Sequence, residues 1–78
     1  MNKPRRTTIT KAEALISEAR ALLEAVRDEE QDAFDAMPES FQNGERGEAS
    51  TACLDALNEI VESLEAAEAT CATARGEG

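Results

Sequence analysis

Apolar residues recur at spacings of three and four along two long stretches of the chain. The first stretch carries Ile9, Ala12, Leu15, Ile16, Ala19, Leu22, Leu23 and Val26, and the second carries Cys53, Leu54, Leu57, Ile60, Val61, Leu64, Ala67 and Cys71. That period marks amphipathic helices and not strands. The stripes are interrupted once, over residues 37–47, so the pattern predicts an all-α fold with helix one at about 11–37, a turn at about 38–47 and helix two at about 48–74. Each helix would approach 30 residues, or about 40 Å, and so short a connection predicts a two-helix antiparallel hairpin.

With Ile9 at heptad position a, later a positions are Ile16, Leu23, Glu30 and Met37, and d positions are Ala12, Ala19, Val26 and Ala33. Leu15 and Leu22 widen the stripe at position g. Three apolar positions per heptad fit a four-helix bundle better than a two-stranded seam. A hairpin covers each stripe on one side only, so pairing with a second copy into a homodimeric bundle is expected. The residues expected to form the core and dimer contact are Leu15, Ile16, Leu22, Leu23, Val26, Leu54, Leu57, Ile60, Val61 and Leu64.

Local signals refine the boundaries. Thr10 and Glu13 have the spacing of a capping box, with Ile9 and Ala14 at the staple positions, which predicts a helix start near Lys11. Residues 1–8, with Pro4 and no periodic pattern, read as a flexible basic arm ahead of a single domain at 9–75. Met37-Pro38 stops the first helix, because proline disfavours helical geometry in the residue before it. Residues 38–41 have the composition of a short helical turn begun by proline. Phe41 is expected to fold back on Phe34 and Met37, so that Phe34, Met37, Pro38 and Phe41 plug the end of the hairpin. Asn43-Gly44 is a turn signal, Gly47 allows a second adjustment, and Gly76 marks the exit of helix two.

Acid enters the first stripe at Glu29 and Glu30, within a run that includes Asp28, Asp32 and Asp35. The preferred reading is that the helices splay there and leave the two glutamates hydrated. The alternative pairs them with Arg46 or another cation near the turn. No histidine is present and no calcium-loop spacing occurs, so no metal and no cofactor is expected.

Composition narrows the function classes. At 78 residues the chain is one domain in the size range where a core is marginal without oligomerisation. Its only aromatic residues are Phe34 and Phe41, so the stripes must pack through aliphatic and alanine contacts. No apolar run is long enough to span a membrane, and no secretory signal follows the basic start, which makes the cytoplasm the expected location. Cys53 and Cys71 lie 18 positions apart on one predicted helix, about 27 Å, too far to bridge within a chain. Both are read as small buried hydrophobes, with an intermolecular disulfide across an antiparallel dimer as the alternative.

Charge is unevenly distributed. The first eleven residues hold Lys3, Arg5, Arg6 and Lys11 and no acid, whereas the remaining 67 hold all 17 acids against four arginines, a net charge of −13. Such a body disfavours direct nucleic-acid binding, leaving only the four basic residues near the start for it. It favours a basic protein partner. Catalysis finds no histidine or tyrosine, no paired nucleophile and base, and no pair of carboxylates set apart from the rest, so an enzyme is not expected.

Over residues 28–49, DEEQDAFDAMPESFQNGERGEA, the chain resembles small uncharacterised acidic helical-hairpin proteins of bacteriophages and mobile elements. The matching features are an acidic run, an aromatic, an MPES-type turn and an ERGE segment, with Pro38, Glu39, Ser40, Arg46 and Gly47 on the motif. The resemblance implies a compact hairpin in a prokaryotic or phage-infected cell and assigns no activity. Two roles follow from the sequence as a whole. The preferred one is a dimeric, non-catalytic interaction or regulatory protein whose acidic face, Asp55, Glu59, Glu62 and Glu65, engages a basic protein. The other is a nucleic-acid mimic of the counter-defence kind, since carboxylates at i, i+3 and i+4 lie about 5–6 Å apart.

Overall fold

The computed structural model describes residues 2–76, and among these every regular element is helical. The order is α1 (Lys3–Asp35), α2 (Glu39–Gln42) and α3 (Glu45–Ala74). α1 starts eight residues ahead of the position that the capping-box spacing marks. Asn2 caps it, its side-chain oxygen accepting from the Arg5 amide at 3.0 Å. Pro4 falls in the first turn, where a missing N–H leaves no helical bond unmade. Thr10 is therefore an interior residue whose hydroxyl donates to the Arg6 carbonyl at 2.9 Å, and Glu13 is engaged elsewhere. The expected arm is thus helical from Lys3 onward, while Met1 lies outside the described residues.

The other end of α1 obeys proline. The helix stops at Asp35, the Met37 amide closes a turn on the Phe34 carbonyl at 3.1 Å, and Pro38 follows. The Pro38 carbonyl then accepts from the amides of Phe41 and Gln42, which makes the single turn of α2. Gly44 caps α3, whose start at Glu45 falls within the range 44–49 that the turn residues leave open, and Glu45 and Glu48 stand in the first turn, where negative charge complements the helix dipole. At the far end Gly76 takes the left-handed conformation, φ 78°, that terminates helices most easily in glycine.

α1 and α3 run antiparallel, as shown by contacts between Glu13 and Arg75, Arg20 and Glu68, and Glu30 and Ser50. The result is a rod of 58 × 15 × 15 Å. Its radius of gyration, 17.4 Å, exceeds the roughly 12 Å of a compact domain of this length. Burial is correspondingly sparse. Leu54, Leu57 and Val61 of α3 form the buried apolar core, joined by Gly47 and Ser50, and no residue of α1 is fully buried. Leu23 and Leu64 are half-buried next to this core, and Ile16 is half-buried farther toward the open end, near the level of Cys71 and Ala72.

The expected core set is split by this arrangement. Leu15, Leu22, Val26 and Ile60 are 57, 65, 46 and 43% exposed, so they are not part of the packed seam. α1 instead turns its a and e positions to α3: Ile9, Glu13, Ile16, Arg20, Leu23, Arg27, Glu30, Phe34 and Met37 are the half-buried row. The aromatic plug is also rearranged. Phe34 and Met37 are half-buried, but Pro38 is exposed and Phe41 is 49% exposed, lying under the Arg46 guanidinium at 5.8 Å from the ring centroid. The turn is held by other means: the Gln42 side chain donates to the Phe34 carbonyl at 3.0 Å, and Gly47 packs directly on the Gln42 backbone.

A Cβ at Gly47 would collide with the Gln42 carbonyl, a backbone group that cannot swing away, whereas one at Gly44 would meet the Ser40 oxygen at a tolerable 3.3 Å. Gly47→Ala should destabilise by about 1–3 kcal/mol or more through displacement of α2, and Gly44→Ala by clearly less. Urea unfolding followed by circular dichroism compares the two; equal effects would show that the close approach is unimportant.

Candidate functional site

The seam between α1 and α3 alternates apolar and charged residues. Between the layers of Ile16 and Leu23 lies Arg20, whose guanidinium engages Glu68 through Nε and again through Nη2 at 3.4 Å, and Glu24 through Nη1 at 3.0 Å. One helical repeat toward the open end, Arg75 Nε stands 3.0 Å from Glu13. One repeat toward the turn, Arg27 reaches Asn58 and Asp28, each at 3.5 Å. Glu30 then accepts from the Ser50 hydroxyl at 2.7 Å. The reading that left Glu30 hydrated is corrected by this bond, because the small side chain of Ser50 lets the carboxylate enter the seam; Glu29 remains exposed.

The Arg20 guanidinium is held above its ordinary pKa, chiefly by the hydrogen bond to Glu68, against an opposing desolvation and with added help from the charges of Glu68, Glu24 and Glu65. A raised pKa on a cation stabilises fully below the unfolded value and is lost only as pH rises through the folded one. The arginine therefore keeps this contact across the whole neutral range.

Outside the seam the rod has two unlike faces. At about 100° per residue, Ala12, Leu15, Ala19, Leu22 and Val26 lie about 100° to one side of the α1 seam. Ala49, Cys53, Ala56, Ile60 and Ala67 lie at about the same angle from the α3 seam. Because the helices are antiparallel, equal rotations of the same sign bring the two rows to the same side. This side is apolar, with no charged residue at those positions. Cys53 is exposed on it and Cys71 is half-buried, both as free thiols, so the expectation of a buried Cys53 is corrected: the seam is narrower than the stripe.

The opposite side is acidic. Asp55, Glu62 and Glu65 are exposed there and Glu59 is exposed on the adjoining outer back of α3, and among the described residues none of the four enters an ion pair. Glu24 and Asp28 of α1 border the same side. Among the described residues no group of three or more potential ligands is placed to hold a metal ion, and no helix is long and apolar enough to cross a membrane.

The charged layers of the seam were the part that stripe counting missed. A signal for them exists: Glu13, Arg20 and Arg27 are seven apart, and Glu68 and Arg75 are also seven apart, the period of a helix facing one partner. No protein-family model matches the chain, and no curated protein or solved structure is detectably similar to it.

The seam pairing is open to a double-mutant cycle. Arg20→Ala and Glu68→Ala should each lower the urea midpoint, and the double variant should lose less than the two effects added, since Arg20 and Glu68 act on one another. Strict additivity in the unfolding curves would mean that this layer contributes packing alone.

Proposed function

We propose that this chain is a small, non-catalytic helical interaction protein. The hairpin pairs with a second copy through its apolar side to make a four-helix bundle, and the acidic sides of the dimer engage a basic protein partner. The observation that carries this reading is the segregation of the rod into an apolar side and an acidic side. Leu15, Leu22 and Ile60 gain nothing from exposure in a monomer, and a contact between two such sides would remove all three from water.

The surface area supports the same reading. The chain exposes 5542 Å², against about 4,600 Å² for a folded monomer of its mass. The excess is on the order of the 800 Å² that each partner contributes to a standard interface. A core of three buried apolar residues is also small for independent stability, and association would add to it. The setting we propose is the cytoplasm of a prokaryotic or phage-infected cell, as a likeness of residues 28–49 to hairpin proteins of phages and mobile elements would imply.

A second reading is favoured by one specific feature. Asp55, Glu59, Glu62 and Glu65 form an exposed row that has no ion-pair partner among the described residues, which is what a nucleic-acid mimic needs to occupy a basic groove. Direct binding of nucleic acid by the acidic body is disfavoured by the same charges.

Light scattering of the chain at micromolar concentration should give the mass of two copies, and Leu15→Asp with Leu22→Asp should give one. A wild-type mass of one copy would overturn the dimer. Replacing Glu59, Glu62 and Glu65 by Gln should weaken capture of the basic partner at least tenfold while leaving the dimer intact. If the mimic reading holds, that partner is a nucleic-acid-binding protein and DNA or RNA displaces the chain from it; a partner indifferent to nucleic acid rejects the mimic.

A further inference from the structure

We propose that the two copies pack head to tail, the open end of one rod lying over the turn end of the other. The inference rests on the dimer reading above and adds the orientation of the second copy. It is carried by the charge at the two ends. The open end holds Lys3, Arg5, Arg6 and Lys11 on exposed positions of α1, with no acid among the first eleven residues. The turn end, residues 28–55, holds nine carboxylates and a single cation, Arg46.

Packing the apolar sides with both turns at the same end would bring eighteen carboxylates together and set eight cations against one another at the other end. At about 100° per residue, Arg5, Lys11 and Glu29 flank the apolar row of α1 and so stand at the rim of the contact, while Lys3 and Arg6 lie farther round the helix and add to the field of the basic end at longer range. Reversing one copy replaces both repulsions by attractions of opposite charge while burying the same apolar rows, because a twofold axis across the rod maps each row on itself.

Shape agrees with charge. The first two turns of α1 extend beyond the level at which Arg75 meets Glu13, so the basic end overhangs α3. There a shallow, largely apolar groove of about 360 Å³ is lined by Pro4, Arg5, Thr8 and Ile9. Pro4 and Thr8 continue the row of Ala12 at helical spacing, so the groove prolongs the apolar side. Phe41, the exposed aromatic, stands at the turn end. Head-to-tail packing brings Phe41 of one copy to the same end as the groove of the other, and same-end packing separates them by most of the 58 Å rod.

Zero-length carbodiimide coupling of the unmodified chain tests this directly. Lys3 lies about 37 Å from Asp28 along α1, and Lys11 about 25 Å, so neither can couple to the turn-end carboxylates within its own chain. Mass spectrometry of the covalent dimer should find Lys3 or Lys11 joined to acids in residues 28–48. Coupling confined to Glu13 and the acids of residues 59–68 would overturn the orientation while leaving the dimer in place. Absence of any dimer in light scattering would instead reject the reading on which the orientation rests.

A second measurement avoids dependence on lysine reactivity. Spin labels on Asn43→Cys, in a chain with Cys53→Ala and Cys71→Ala that light scattering shows to be dimeric, should lie on the order of 50 Å apart, near the length of the rod. A separation below about 30 Å would place the two turns at one end and overturn the proposal.

Discussion

Charge pairing inside the α1–α3 seam is the constraint on which the rest of this protein depends. Four positions of the α1 seam are charged, Glu13, Arg20, Arg27 and Glu30, and they are met from the other helix by Arg75, Glu68, Asn58 and Ser50 respectively. A misregistered pair of helices would leave those groups half-buried without partners, at a penalty that aliphatic contacts between alanines and leucines cannot offset. The polar layers therefore act as a register, holding Leu54, Leu57 and Val61 in the seam along a rod too narrow to enclose a larger core.

That register has a consequence for the surface. Because charged residues occupy the seam, the apolar stripe of α1 is wider than the seam can cover, and Leu15, Leu22 and Val26 are left outside on the side where α3 also shows Cys53 and Ile60. The carboxylates gather on the other side by the same rotation. The division into an apolar side for a second copy and an acidic side for a basic partner thus comes from which residues the seam accepts, and it links the packing of two helices to the proposed role. The turn supports the arrangement from one end, where Gly47 has no side chain to keep Gln42 away and Gln42 secures the end of α1 through the Phe34 carbonyl.

Much of the helical content was legible in the linear pattern. The three- and four-residue spacing gave the long helices, Met37-Pro38 gave the stop, and residues 38–42 gave the short helical turn that became α2. The helix start was misread because Thr10 and Glu13 have capping-box spacing, yet Asn2 with Pro4 makes a better-placed cap eight residues earlier. Local spacing cannot say which of two caps is used. That depends on whether the intervening residues lose anything by being helical, and Thr7, Thr8 and Thr10 satisfy their hydroxyls on the helix backbone. Phe41 departs from the expected plug because its ring lies under the Arg46 guanidinium, while the Gln42 side chain secures the Phe34 carbonyl.

By itself, then, the sequence determined the helical elements, the place of the break and the asymmetry of charge between the two ends, because these depend on neighbours within a few positions or on simple counts. Only the tertiary structure decided which part of each apolar stripe would be covered. An amphipathic stripe specifies a side of a helix to within about a residue's rotation, and here that rotation selects between Leu22 and Arg20. The choice fell to Arg20 because Glu68, forty-eight positions away, completes its hydrogen bonds, and no local pattern around either residue contains the other.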